Sequence, residues 1–376
     1  MKVCMNAEGD SVKIHRRILP AAKVVLAAAL IFAAGYSLTQ RLPECFGSDD
    51  TALVAASFTL TDGRYRPASE PSTAPLQGQR EEQRVAETKP TDAPQAINRG
   101  TTRDKSDYYD SFADHSGETR YDITEKTIVS TGTQVGNGWV WNRTGLDFDF
   151  DALLHAPLPF TVQKNSKAPQ VLIYHTHTGE GYLDEDTDGF YESYYSHTQN
   201  EDFNVVGVGN ALAEALEKQG ITVLHDKTVH DSTYNGSYDR SAETVCADMA
   251  ENEDIKIVLD IHRDALGSED NKVKTVCSQN GEKTAQMMIL SGCDCYGERG
   301  FDNWQNNLNF ALKLQNAAGE MYPNLMRPLS FDFFAYNEYI CDGSLLIEIG
   351  TDANSIDEAQ RAAVNLANVI AKVVLG

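Results

Sequence analysis

Five short apolar runs constrain this chain more than any other feature: VLIY (Val171–Tyr174), ITVL (Ile221–Leu224), KIVLDI (Lys256–Ile261), QMMIL (Gln286–Leu290) and SLLIEI (Ser344–Ile349). Each is too short for a stable helix and too continuously apolar for a strand with one wet face, so each reads as a strand buried on both sides. Helical patterns lie between them. Asn204 to Lys218 places Val205, Val208, Leu212 and Leu216 along one face and stops at Gly220, and Ser241 to Glu251, Trp304 to Met321 and Ile356 to Val374 read similarly. The alternation predicts an α/β domain over residues 121–376, a mostly parallel sheet with helices on both faces. No internal repeat suggests a solenoid.

The N-terminus predicts the compartment. Ile18 to Leu38 is apolar apart from Lys23 and a few weakly polar residues, and at 1.5 Å per residue it spans roughly 30 Å, a bilayer core. Lys13, His15, Arg16 and Arg17 precede it. The positive-inside rule then makes residues 1–17 a cytoplasmic tail, 18–38 a transmembrane anchor and the remainder extracytoplasmic, in a single-pass membrane protein. A cleaved signal peptide is the competing reading, and it exports the same residues. Residues 39–120 mix Pro, Ser, Thr, Gln and both charges with little apolar periodicity, and are expected to be a largely disordered linker with a reach of roughly 45 Å. A formal charge of −23 over 376 residues argues against nucleic acid as partner, because the two would repel at every encounter.

In a parallel sheet, ligands bind beyond the carboxyl ends of the strands. His175, His177 and Glu180 follow the first apolar run, His262, Arg263 and Asp264 follow the third, and Glu348 stands at the end of the last. Three distant segments can thus bring His, Glu, His and Glu to one edge. Zinc suits such a set: three nitrogen or oxygen ligands, a water in the fourth position and a separate carboxylate to take its proton. His177 and Glu180, three residues apart, can ligate from one short loop, His262 can complete the set, and Glu348 is left as the base, its pKa raised by its apolar strand. Each residue alone has a plainer explanation. His262 could be a satisfied core histidine, Glu348 a surface group, and His175, alternating with His177, a packing histidine.

The segments VLIYHTHTGEGY, FNVVGVGNALAEALEKQGITVLHDKTVHD, YNGSYDRSAETV, KIVLDIHRDA and GSLLIEIGTDANSIDEA, in this order behind a membrane span, closely resemble the stage II sporulation protein P family of endospore-forming bacteria, over roughly residues 165 to 376. The resemblance implies a zinc amidase-like fold and a zinc-dependent N-acetylmuramoyl-L-alanine amidase that degrades peptidoglycan during forespore engulfment, with possible endopeptidase activity on cross-links. It implies His177, Glu180 and His262 as zinc ligands, with His177 preferred to His175, and Glu348 as the catalytic glutamate. Arg263 and Asp264 would orient ligands or substrate. It also implies stage II sporulation proteins D and M as partners, and a domain facing the septal or intermembrane space from the mother-cell membrane. The family more often carries serines where this chain has Gly179 and Gly181, which is expected to add backbone freedom beside Glu180.

The mechanism that follows is metal-assisted hydrolysis of the lactyl-to-L-alanine amide, Glu348 moving a proton from water to the leaving nitrogen, with Arg263 or Arg327 available to stem-peptide carboxylates. For Arg327 an exposed loop position is the commoner expectation. A zinc carboxypeptidase acting on stem peptides uses the same donors, and a non-catalytic wall-binding scaffold is the alternative outside enzymes. Cys4 is expected in the cytoplasm; Cys45, Cys246, Cys277, Cys293, Cys295 and Cys341 are expected outside, as buried or free thiols without a disulfide framework. The aromatic stretches FYESYY (Phe190–Tyr195) and FDFFAYNEY (Phe331–Tyr339) suit core packing more than a stacking surface for sugars or a lid.

Overall fold

The computed structural model describes residues 103–376; the expected anchor at 18–38 and most of the expected linker lie outside them. Among the described residues no helix is long and apolar enough to cross a membrane. The chain runs through β1 (Arg120–Lys126), β2 (Thr133–Val135), β3 (Gly138–Asn142), α1 (Phe150–His155), β4 (Val171–Tyr174), β5 (Gly189–Tyr191) and α2 (Val205–Lys218). It continues through β6 (Val223–His225), α3 (Ser237–Glu251), β7 (Ile257–Asp264), β8 (Asn271–Gln279), β9 (Glu282–Ala285) and β10 (Met287–Gly292). It ends with α4 (Trp304–Met321), β11 (Leu329–Asp332), β12 (Ser344–Thr351) and α5 (Ile356–Leu375).

The main sheet has eight strands in the order β2-β3-β11-β10-β12-β7-β4-β6. It is mostly parallel, the exceptions being β2 against β3 and β10 against β12. The mostly parallel α/β architecture expected from the apolar runs is therefore present. Because β10 runs against β12, the carboxyl end of the QMMIL strand opens at the opposite edge from those of β4, β7 and β12.

Alternation along the central strands divides their side chains between two cores. Ile173, Ile257, Leu259, Ile261, Leu345, Ile347 and Ile349 pack with Val208 and Leu212 of α2, Leu308 of α4 and Leu366 of α5. Leu172, Tyr174 and Val258 face the other way, onto Val245 of α3. Helices thus cover both faces, which is why VLIY and its neighbours have no polar side. Local chemistry fixes the helix ends. Asn204 caps α2, its Oδ1 accepting from the amides of Val206 and Gly207, and Ser355 and Glu358 close a reciprocal capping box on α5.

A second sheet, β5-β1-β8-β9, was not legible in the sequence. Its strands RYDITEK and NKVKTVCSQ are largely polar and only partly buried. The expected boundary at 120/121 also falls inside the folded unit. Arg103 bonds Asp357, Lys105 bonds Asp184, and the Tyr108 ring stacks on Phe203 at 4.9 Å, so the segment expected as linker is packed structure from residue 103 onward.

Candidate active site

β7 is longer than its apolar run suggests, and His262, Arg263 and Asp264 lie within it rather than after it. Period-two alternation puts Asp260 and His262 on the same side as Val258, the face covered by α3. β12 pairs with β7 in parallel, with Glu348 directly opposite His262. In-register residues on neighbouring strands stand about 4.8 Å apart, so these two side chains leave the sheet side by side.

Beyond β4 the chain becomes the loop His175–Gly181. Asp231 holds it from behind, accepting from Thr178 Oγ1 at 2.7 Å and from the Gly179 amide at 3.0 Å. The glycines do not loosen this loop. A Cβ on Gly179 would stand 2.2 Å from the His197 ring and one on Gly181 3.0 Å from the Tyr108 hydroxyl, so neighbouring side chains fill the space that the family's serines would take. The packing leaves Glu180 and His177 pointing at β7. Glu180 Oε2 lies 3.2 Å from His262 Nδ1 and accepts the Arg263 amide at 3.1 Å. The His177 ring stands edge-on to His262, centroids 5.5 Å apart at 86°, and stacks on Tyr234 at 4.7 Å.

The electrostatics follow from burial and pairing. Burial alone would raise the Glu180 pKa, but His262 and Arg263 outweigh it and hold the carboxyl well below its usual range. Burial likewise opposes the His262 cation, and Asp260 and Glu180 on either side push its pKa well above that of an ordinary histidine. Glu348 behaves in the opposite sense. Its Oε2 is sealed from water and meets no hydrogen-bond donor among the described residues. Burial first, and then the charge of Asp264, push its pKa up to about 8.

Two donors of a tetrahedral zinc site, each about 2.0–2.1 Å from the metal, stand about 3.4 Å apart. Glu180 Oε2 and His262 Nδ1, at 3.2 Å, fit that spacing. The His177 ring lies next to this pair, but among the described residues no three such side chains close on a single point. Asp260 backs His262 as a carboxylate behind a ligand histidine would, its Oδ1 2.9 Å from Nε2 although out of hydrogen-bond alignment.

The other residues singled out in the sequence fall elsewhere. His175 sits apart from the cluster, its Nδ1 donating to the Ile261 carbonyl and its Nε2 2.9 Å from His225 Nε2. Arg263 is buried and spends its guanidinium on the carbonyls of Gly181 and Ser196, so it shapes the Glu180 loop rather than facing substrate. Arg327 is not an exposed loop residue: it is buried, and its Nη1 donates to Asp264 Oδ2 at 2.8 Å. Cys277, Cys293, Cys295 and Cys341 are free thiols. Sequence reasoning missed Asp260, behind His262, and Asp231, behind the Glu180 loop. Asp260 carried a usable signal, an acid inside an apolar run, the same anomaly that drew attention to Glu348.

The model of the stage II sporulation protein P family matches residues 64–371. The chain belongs to the stage II sporulation protein P family. Stage II sporulation protein P of Bacillus subtilis (strain 168) is 30% identical over 220 residues, covering 54% of this chain and 50% of that protein, so the match spans about half the length of the curated relative. Among solved structures, the CwlD amidase from Clostridioides difficile in complex with the GerS lipoprotein is 12% identical, covering 55% of this chain and 96% of that chain with a TM-score of 0.33. The N-acetylmuramyl-L-alanine amidase Ami1 from Mycobacterium smegmatis is 13% identical, covering 57% and 98%, with a TM-score of 0.31. Overlaps this loose say nothing about chemistry. What the family model covers includes every residue of the cluster, from His177 to Glu348.

Proposed function

We propose that this member of the stage II sporulation protein P family is a zinc-dependent peptidoglycan hydrolase that cleaves the amide between N-acetylmuramic acid and L-alanine during forespore engulfment. The supporting observation is Glu348: a carboxyl oxygen buried without a donor, its pKa pushed up to about 8, beside His262 and its partner Glu180. An idle carboxylate so placed is costly, and a proton carrier near neutral pH needs such a site.

His177, Glu180 and His262 would hold the metal. Bound there, zinc would polarise the amide carbonyl, acidify the attacking water and, by its charge, draw the Glu348 pKa down toward the working range. The Glu348 carboxylate takes the proton from that water and returns it to the leaving nitrogen. Asp260 keeps the His262 ring oriented, and Arg263 fixes Glu180 through the backbone of its loop. An anchor at 18–38, an extracytoplasmic domain on the mother-cell membrane, a linker before residue 103 and sporulation proteins D and M as partners belong to the same proposal, as does any cleavage of stem-peptide cross-links.

The test is zinc content together with mass analysis of products from purified peptidoglycan, for the full chain and for Glu348→Gln. One zinc per chain with intact stem peptides freed from glycan, the products lost in the variant, is the expected result. Shortened stems would make the protein a peptidase, and no products from either protein would leave a wall-binding scaffold.

A further inference from the structure

The run FDFFAYNEY does two different things in the fold. Phe331 is core, but Tyr336 and Asn337, with φ of 36° and 61°, stand in the left-handed region that a bulky aromatic rarely adopts. The turn is clamped from two sides. Asn337 Nδ2 donates to the Tyr238 carbonyl and to Ser241 Oγ, both at 3.0 Å, and the fully buried Glu338 accepts from the Gly292 amide at 2.8 Å. The first two bonds tie the turn to the start of α3 and the third ties it to the end of β10, and Tyr336 is set against Tyr238, centroids 5.6 Å apart. Tyr238 in turn lies nearly parallel to His262, 6.4 Å away at 10°. On the far side Phe334 meets Tyr336 at 4.9 Å. A row of half-buried rings therefore extends from His262 through Tyr238 and Tyr336 to Phe334.

We propose that Tyr336, flanked by Tyr238 and Phe334, seats a sugar ring of the glycan strand next to the cleaved bond, which rests on the peptidoglycan reading above. The apolar face of a pyranose stacks on such a surface at little entropic cost, since each ring has only two free torsions. The charges favour a neutral ring over stem-peptide carboxylates. Arg143, at the end of the row, is 3.4 Å from Asp332, while Arg327 pairs with Asp264 and Arg263 with the Glu180 loop. The chain as a whole, at −23, repels anions.

The experiment titrates the full chain with N-acetylglucosamine oligomers, which offer N-acetylated pyranose rings without a carboxylate, and, separately, with free stem peptides, alongside Tm. Tyr336→Gly deletes the ring and suits the left-handed turn, so it should weaken glycan binding about tenfold in a chain that still melts cooperatively. Tyr336→Phe should retain binding, and Phe334→Ala, which leaves the clamps intact, should weaken it several-fold. Unchanged glycan affinity in Tyr336→Gly and Phe334→Ala overturns the seat, as does a loss confined to stem peptides. Glycan binding lost in Tyr336→Gly while the parent releases no product supports the seat and overturns the amidase reading instead.

Discussion

His262 and Glu348 face each other across the parallel pairing of β7 and β12, the first held between two carboxylates and the second with a buried oxygen that meets no donor. The sheet thus sets a charged group and a nearly neutral acid side by side, and burial keeps their proton affinities apart.

Glu348→Gln separates chemistry from stability. In metal-free protein the Glu348 pKa lies near 8 rather than 4.5, so the unfolded chain binds fewer protons across that window and stability falls as pH rises from about 4.5 to about 8. Glutamine removes this component. The variant's Tm should therefore vary less with pH than the parent's when both are scanned in chelator between pH 4 and 9, while hydrolysis drops about 10²–10⁴-fold. Parallel Tm curves would show that the carboxyl is not held in its neutral form.

Asp260 gives a second test. It accepts from the Thr176 amide at 2.9 Å and from Thr176 Oγ1 at 2.7 Å while standing behind His262. Asp260→Asn keeps the shape and removes the charge, so zinc affinity measured by chelator competition should fall about 10–100-fold. Unchanged affinity would reduce Asp260 to a brace for the loop after β4.

Legibility in the sequence followed burial. β4, β7 and β12 could be read because helices cover both their faces and their residues are accordingly apolar. β1 and β8 could not, because Arg120, Asp122, Lys272 and Lys274 serve ion pairs and a partly exposed sheet rather than a core. In the candidate site, His177, Glu180, His262 and Glu348 were visible as polar residues within or just after apolar runs. The burial of Arg327 was not, since a lone arginine between Met326 and Pro328 gives no sign of the acid it will meet 63 residues away. The aromatic row drew its members from α3 and the β11–β12 connection, and only the strained turn at Tyr336 aligns them.

The Asp264–Arg327 pair should tune Glu348 in opposite directions. Asp264 raises the Glu348 pKa and Arg327 lowers it. Asp264→Asn should therefore move the titration of the Glu348 carboxyl to lower pH and Arg327→Met should move it higher, each read by carbon NMR. Either change also breaks a mostly buried ion pair, at a cost of about 2–3 kcal/mol in denaturant unfolding. Shifts of the same sign in both variants would mean that repacking, not charge, governs Glu348.

Residues 103–120 should matter to the site although none of them enters it. Tyr108 stacks on the fully buried Phe203 and its hydroxyl donates to the Tyr182 carbonyl at 2.6 Å, and Lys105 pairs with the buried Asp184 at 2.6 Å. Phe203 precedes the Asn204 cap of α2, and the Val205 amide donates to the Glu180 carbonyl at 2.9 Å. A chain beginning at Tyr121 loses the ring that covers Phe203 and the cation that satisfies Asp184, together about 4–6 kcal/mol. Its Tm should lie more than about 10 °C below that of the full chain. Because the same contacts hold the backbone of Glu180, the shortened chain should also bind zinc more weakly at temperatures where it is still folded. Tyr108→Ala in the full chain should reproduce part of both effects; equal melting and equal zinc affinity in all three proteins would make the segment a passenger on the domain.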